Sequence, residues 1–446
     1  MASALALVLA GCSVVPQYHR PDPALPQAWS GASASAASLS KTWWRSFASP
    51  PLDVLIARSG AGNFDLQAAM ARVEEARAQA EIAGAARYPS VSLTGQVARG
   101  SALSGNGSQA SGLYGQASYE IDFWGKNRAQ AGSAAALAQA SVFDAQTVAI
   151  TLEASVASTY FQILALAARL ALAQQIAEGA RHVLTLVEAR AANGIASQLE
   201  VEQQRNAVAV FAAAVPALEQ QLEQSLHQLA VLSGETPESF RTATSKLMDI
   251  VVPEVGAGLP ATVLRHRPDL GAAEARLQSA RFDVGAARAA FYPSFTLTAQ
   301  GGVSSTSLTQ WLPPVAVWNL VAGLLQPVFQ GERLDGQLHF ARAHYVELAA
   351  SYRQTILSAL QDVEDALSAV QHLRELERVD QVAVESARHA STLVRAQFDA
   401  GTADFLNVLT VERTLYQAED TLLQVRLARL QAAVGLYRAL GAGFAP

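Results

Sequence analysis

The side chains able to do chemistry are few and scattered. Eight histidines occur, His19, His182, His227, His266, His339, His344, His372 and His389. No two stand three or four residues apart, the spacing that sets two rings on one helical face. The nearest pair, His339 and His344, is five apart and points the rings along diverging directions, so no zinc set follows. Carboxylates cluster at Glu74-Glu75 and at Asp362, Glu364 and Asp365, but without a neighbouring base or nucleophile they read as solvated or inter-helix charges. No Walker loop, dinucleotide fingerprint, nucleophile elbow or Cys-x-x-Cys pair is present. These residues predict a protein that is not an enzyme and holds no cofactor or metal. One thiol remains, Cys12, and a disulfide within the chain is impossible.

Cys12 ends an apolar run of small residues, Ala2 to Gly11, after which the sequence turns polar at once. About ten apolar residues are too few to span a bilayer as a helix and are read as a signal segment, residues 1–11. Leu9-Ala10-Gly11-Cys12 resembles the bacterial lipobox, whose cysteine is acylated and becomes the first mature residue. That resemblance implies a covalent lipid on Cys12, and Ser13 in the next position implies sorting to the outer membrane. No Lys or Arg precedes Cys12, so the positive region of such signals is missing; a start lying further upstream would supply it. Residues 12–40 read as a lipid-anchored tether rich in proline, serine and alanine. Trp43, Trp44 and Phe47 then open a short amphipathic segment that either packs the tether against the body, the preferred reading, or sits at a membrane interface.

The elements that must position these groups are mostly helical. The chain has 446 residues, 50% of them hydrophobic and many of these alanine, with a formal charge of −6. Nothing in that balance or in the scattered basic residues suggests nucleic acid. From Gly331 to Leu440 there is no proline, and a helix from roughly Gly336 to Phe398 would be on the order of 90 Å long. Ile356, Leu360, Val363, Leu367 and Val370, then Leu423, Leu427, Leu430, Val434 and Tyr437, recur at the alternating spacing of a coiled-coil seam. The break between the two helices is Asp399-Ala400-Gly401-Thr402, with Gly401 suited to the left-handed conformation and Thr402 to capping the next helix. The unit repeats about 207 residues earlier, where Gly194 matches Gly401, and Tyr88-Pro89-Ser90 is echoed by Tyr292-Pro293-Ser294.

Each half also carries two alternating segments, 91–99 and 113–123 in the first, 295–303 and 317–329 in the second. Their length is close to the ~9–11 residues that a tilted strand needs to cross a bilayer. Four strands cannot close around an aqueous lumen, and open edges in lipid are costly. Several chains sharing one barrel would remove both problems.

These pieces together resemble the outer-membrane factor family of bacterial tripartite efflux systems, in its lipoprotein branch. The resemblance rests on Leu9 to Cys12, on Trp43-Trp44 with Phe47, on Ser118 to Gly125, on Arg267-Pro268-Asp269-Leu270 with Ala273-Glu274-Ala275, and on the two Tyr-Pro-Ser motifs. It implies an α+β, mainly α fold in which internally repeated coiled-coil hairpins form a trimeric periplasmic α-barrel plus a transmembrane β-barrel with four strands per chain. The repeats are then 41–233 and 260–446, joined by an equatorial linker over 234–259. Implied partners are two further copies of the chain, a periplasmic adaptor, an inner-membrane transporter and outer-membrane lipid.

The function implied is passive conduction of drugs or other small molecules from a pump assembly to the exterior, as in multidrug resistance. Exit ducts for heavy metals or secreted protein share the shape, though only three methionines, Met1, Met70 and Met248, are present as soft ligands. A non-channel coiled-coil scaffold would explain the helices but not the strands. The turns at Asn193-Gly194 and at Gly401 to Asp404 are expected to form the periplasmic mouth and gate. There Asp404 either contributes to an acidic ring or simply occupies the favourable first turn of its helix. Leu409-Thr410-Val411-Glu412-Arg413 departs from the family's frequent Leu-Asp-Ala-Gln-Arg, shifting the acidic side chain to Glu412.

Overall fold

A computed structural model describes residues 14–18, 20–21, 25–30, 40–101, 107–256, 258, 260, 266–305 and 315–443. The signal segment, Cys12, much of the tether and the turn at 311–314 lie outside the described residues. In chain order the elements are a 3₁₀ turn Trp43–Phe47, helices α1 Pro50–Gly62 and α2 Phe64–Ala85, strands β1 Ser90–Ser101 and β2 Gly107–Ile121, then helices α3 Lys126–Ala192 and α4 Gln198–Leu232. The second half follows with α5 Pro268–Ala289, β3 Ser294–Ser305, β4 Val315–Leu325, α6 Arg333–Asp399 and α7 Phe405–Ala439. All four boundaries of α6 and α7 fall 207 residues after those of α3 and α4. The repeat therefore holds to the residue in the long helices.

The strands depart from their expected limits for local reasons. β2 ends at Ile121 because Asp122 turns to the following helix, its carboxylate accepting from the Asn127 N–H at 3.1 Å and the Arg128 N–H at 2.8 Å. β4 stops at Leu325, short of residue 329, because Pro327 has no N–H to give to a ladder. At the other end β2 reaches back to Gly107, six residues before the expected start at 113, because β1 continues to Ser101 and pairs with it throughout.

The chain divides into two compact units, with boundaries falling inside α2, α3 and α6. The first unit holds the antiparallel sheet, in the order β1-β2-β3-β4, together with α5. The segment before residue 23 lies against it. Tyr18 donates to Glu274 at 3.0 Å, Arg20 pairs with the same carboxylate at 3.0 Å, and the Arg20 Nε–H donates to the Tyr352 hydroxyl at 3.0 Å.

The second unit is built around α3. Its Val156, Ala157, Tyr160, Phe161 and Leu164 are at most 2% exposed, so this stretch of the helix faces protein. Trp43 stacks on Tyr437 at 5.1 Å and Phe47 meets Phe161 at 5.0 Å, which settles the tether aromatics as packing residues. Each such ring removed from water contributes about 1.5–3 kcal/mol. The two heptad stripes do not simply face each other. Leu360, Val363, Leu367 and Val370 of α6 meet Leu436 and Ala439 of α7 and Leu440 just past its end, while Leu430, Val434 and Tyr437 turn to the α3 cluster. α7 is thus buried on two sides, and the segment after α4 joins the same core through Phe240, Leu247 and Ile250.

Two charged groups are held inside this unit. Glu377, 2% exposed, pairs with Arg426 at 3.0 Å and with Arg429, and Arg426 also donates to the Ile250 carbonyl. Removing one member of such a set leaves the others buried without a partner, so breaking it costs more than the intact set adds. Glu153 accepts from the Trp43 indole N–H at 3.1 Å. Burial pushes its carboxyl from the ordinary 4.5 up to about 7, with the Trp43 hydrogen bond opposing. The folded chain thus holds this proton more tightly than the unfolded one, so the contribution is intact below about pH 4.5 and is lost as pH rises through 7. The melting temperature of wild type is expected to fall relative to Glu153→Gln across that window, by the equivalent of on the order of 3 kcal/mol at full ionisation. Parallel pH profiles for the two proteins would remove the assignment.

Candidate functional site

Both long-helix pairs turn in the same way. Gly194 and Gly401 have φ of 72° and 75°, and the Ile195 and Thr402 N–H groups reach back to the Arg190 and Gln397 carbonyls, both at 2.9 Å. This is the Schellman closure, and it is why glycine stands at both positions. The Asn193 side-chain amide donates to the Ala189 carbonyl at 2.8 Å. The cap of α7 is Asp404, not Thr402: the Asp404 carboxylate accepts from the Asn407 N–H at 2.8 Å. The Thr402 hydroxyl instead donates to the Gln397 carbonyl of the preceding helix at 3.1 Å. At the equivalent place Ser197 and Glu200 form a reciprocal capping box.

The two turns are brought together by Val187, Val201 and Phe405, with Phe398 packed beside them and the Arg190 guanidinium 4.9 Å from the Phe398 ring centre. Asn193, Gly194, Gly401 and Asp404 are all solvent-exposed around that cluster. Further along, Arg169 grips Asp420 through two hydrogen bonds of 2.6 and 3.1 Å, and Arg395 holds Glu412 at 2.8 Å. The displaced acidic residue is therefore engaged in an α6–α7 ion pair. The sequence reading missed Arg190, Phe398 and Phe405. Their signal lay in the repeat itself, because the positions matching Phe398 and Phe405 are Ala191 and Gln198.

The sheet sorts its side chains by face. Strand register aligns Val91, Ala117, Ala299 and Leu320 in one row and Leu93, Gly115, Gly301 and Trp318 in another, giving an apolar face. The opposite face carries Ser90, Ser118, Thr298 and Val321, then Ser92, Gln116, Gln300 and Asn319. At the sheet end nearest α3 and α5, Trp124 stacks on Tyr292 at 4.6 Å and donates to the Pro293 carbonyl at 2.8 Å, while Phe123 meets Phe295 at 5.0 Å. Aromatic side chains with a polar tip at one end of an apolar strand face are what a bilayer boundary favours. Among the described residues no three His, Cys, Asp or Glu side chains gather as a metal site.

The outer membrane efflux protein profile matches residues 55–235 and 259–442, covering both repeats. The chain belongs to the outer membrane efflux protein family. It is 39% identical to the pyoverdine export outer membrane protein OpmQ of Pseudomonas aeruginosa, over 98% of this chain and 95% of OpmQ. It is 30% identical to the cation efflux system protein CusC of Escherichia coli K12, over 98% of each chain. Among solved structures, the open state of the Neisseria gonorrhoeae MtrE outer membrane channel superposes with a TM-score of 0.88 at 28% identity, covering 97% of this chain and 98% of MtrE.

As an outer membrane efflux protein, the chain is the outer-membrane channel component of an efflux pump, with a long helical extension on the periplasmic side. The four-stranded sheet and the repeated hairpins are the corresponding parts of that fold. In the turns, Asp404→Ala is expected to destabilise α7 by about 1 kcal/mol through loss of the cap, while Asp404→Asn, an equally good cap, stays near wild type. Thermal melts of the detergent-solubilised protein read the difference, and a Asp404→Asn loss as large as that of alanine would show that charge, not capping, stabilises the turn.

Proposed function

We propose that three copies of the chain share one twelve-stranded barrel, continued by a tunnel of the long helices, and that this pore passes small organic solutes out of the periplasm. The observation that carries the reading is the sheet: one face apolar, one face polar, and an outer edge of β1 and of β4 with no strand beside it among the described residues. A lone sheet of this kind in lipid would leave two rows of peptide groups without partners, and joining β4 of one copy to β1 of the next removes both. A periplasmic adaptor and an inner-membrane transporter complete the pump, the adaptor meeting the exposed turns, where Ile195 and Leu406 are 67% and 54% exposed. No covalent chemistry is needed for this role. The 39%-identical relative named for pyoverdine export favours an organic cargo, and a chain with three methionines has few soft ligands for metal ions.

Cys12 carries the lipid in this reading, anchoring the mature chain to the outer membrane. Fatty-acid labelling is expected in wild type and absent in Cys12→Ser, and equal incorporation would overturn the anchor.

Native mass measurement of the detergent-solubilised protein should give three chains, and the same preparation should conduct in a planar bilayer. A monodisperse monomer, or a trimer without conductance, would overturn the pore. The gate is assigned to the turns at Asn193-Gly194 and Gly401 to Asp404, with three Asp404 carboxylates favouring cations at the mouth. Since Asp404→Asn preserves the cap, it isolates the charge: cation preference should drop in the variant, and an unchanged reversal potential would leave Asp404 as a helix cap alone.

A further inference from the structure

β4 reads Val-Ala-Val-Trp-Asn-Leu-Val-Ala-Gly-Leu-Leu, so Asn319 is its one side chain bearing an amide or hydroxyl. Asparagine is a poor strand former, so an exposed amide among β-branched and leucine residues sets this position apart. Its register places it opposite Gln300, which lies opposite Gln116, which lies opposite Ser92. The four side chains stand in a single row across all four strands, on the polar face. The Asn319 amide already donates to the Gln300 side-chain oxygen at 3.3 Å, so the row is built as a hydrogen-bonded ladder at its β3–β4 end.

The face around this row carries no net charge among the described side chains. Its carboxylate, Glu120, is paired with Lys126 at 2.6 Å, and the adjoining row offers the hydroxyls of Ser90, Ser118 and Thr298. We infer that Ser92, Gln116, Gln300 and Asn319 form a carboxamide belt in the barrel that binds passing solutes rich in carbonyl, hydroxyl and amide groups, without selecting for charge. The inference rests on the shared-barrel reading, which turns one row per chain into a closed belt. Carboxamides suit this use because each presents both a donor and an acceptor, and both groups can rotate to meet an incoming partner. A solute that gives up part of its hydration in the barrel recovers hydrogen bonds at the belt, whichever way round it enters. Because no fixed charge is present, release is not opposed by a strong Coulomb attraction, and the site can be weak enough to leave. Charge selection would then belong to the Asp404 mouth and hydrogen-bond selection to the belt.

The test is single-channel recording of the reconstituted full-length protein with N-acetyl-triglycine amide, an uncharged peptide, added on one side. Wild type should show current blockades whose residence time falls about tenfold in Gln116→Leu/Gln300→Leu, in keeping with the loss of one or two hydrogen bonds. Gln116→Asn/Gln300→Asn should retain most of the residence time, which a ladder serving only strand pairing would not require. Absence of blockades in a conducting wild type, or equal residence times in wild type and the leucine variant, overturns the belt and leaves the pore reading intact. A wild type that carries no current overturns the pore and the belt together. If the leucine variant fails to insert, Gln300→Cys decides: a cationic methanethiosulfonate reagent in the bath should lower its conductance and shift it toward anions, and an unaltered current would place the row off the conducting path.

Discussion

In hydrocarbon an unpartnered peptide N–H or C=O costs several kcal/mol, because no water is present to take the place of the missing strand. That constraint shapes the whole chain. It forbids four strands from standing alone with an apolar face, and so demands neighbours at β1 and β4. In the proposed shared barrel, neighbours arranged around an axis would bring the helices of each chain around it as well. The helices must then pack on more than one side. The two buried sides of α7, one against α6 and one against the α3 core, are consistent with helices that are walls and not a free-standing coiled coil.

The repeat answers the same demand economically. α3 with α4 and α6 with α7 are two copies of one hairpin, closed by the same glycine conformation and the same backbone bonds, so the proposed ring of three chains would present six similar hairpins. What distinguishes the copies is side-chain content. One carries Phe398 and Phe405 where the other has Ala191 and Gln198, and Arg190 of the first reaches across to Phe398 of the second.

Much of this was legible in the residues. Absence of proline, the glycine at each break and the spacing of Ile356 to Val370 mark long helices along the chain itself, although the packing of that apolar stripe is what stabilises them. Strand existence was equally plain from alternation. Strand ends were not, since Ile121 is the last residue of β2 only because Asp122 is spent on the α3 N–H groups, a choice visible only once both elements exist. The cap at the second turn was misplaced for a related reason. Thr402 and Asp404 are both good caps, and the Thr402 hydroxyl is taken by the Gln397 carbonyl. Glu153 and Glu377 carry no sequence mark at all; their character comes from Trp43 and from Arg426 and Arg429, more than a hundred and about fifty residues away respectively.

The two capping arrangements have a consequence for how such a chain can change over generations. Ser197 and Asp404 hold equivalent backbone positions in the duplicated halves, and each satisfies the same N–H three residues on. The hairpin geometry therefore tolerates either residue, and drift at this position is filtered by what the exposed oxygen shows to the outside and hardly at all by folding. A lineage can add a carboxylate at either corner of the chain, or withdraw it, by a single substitution that keeps the cap. Adaptation to a new inner-membrane partner or a new cargo charge can begin there without first passing through an unstable protein.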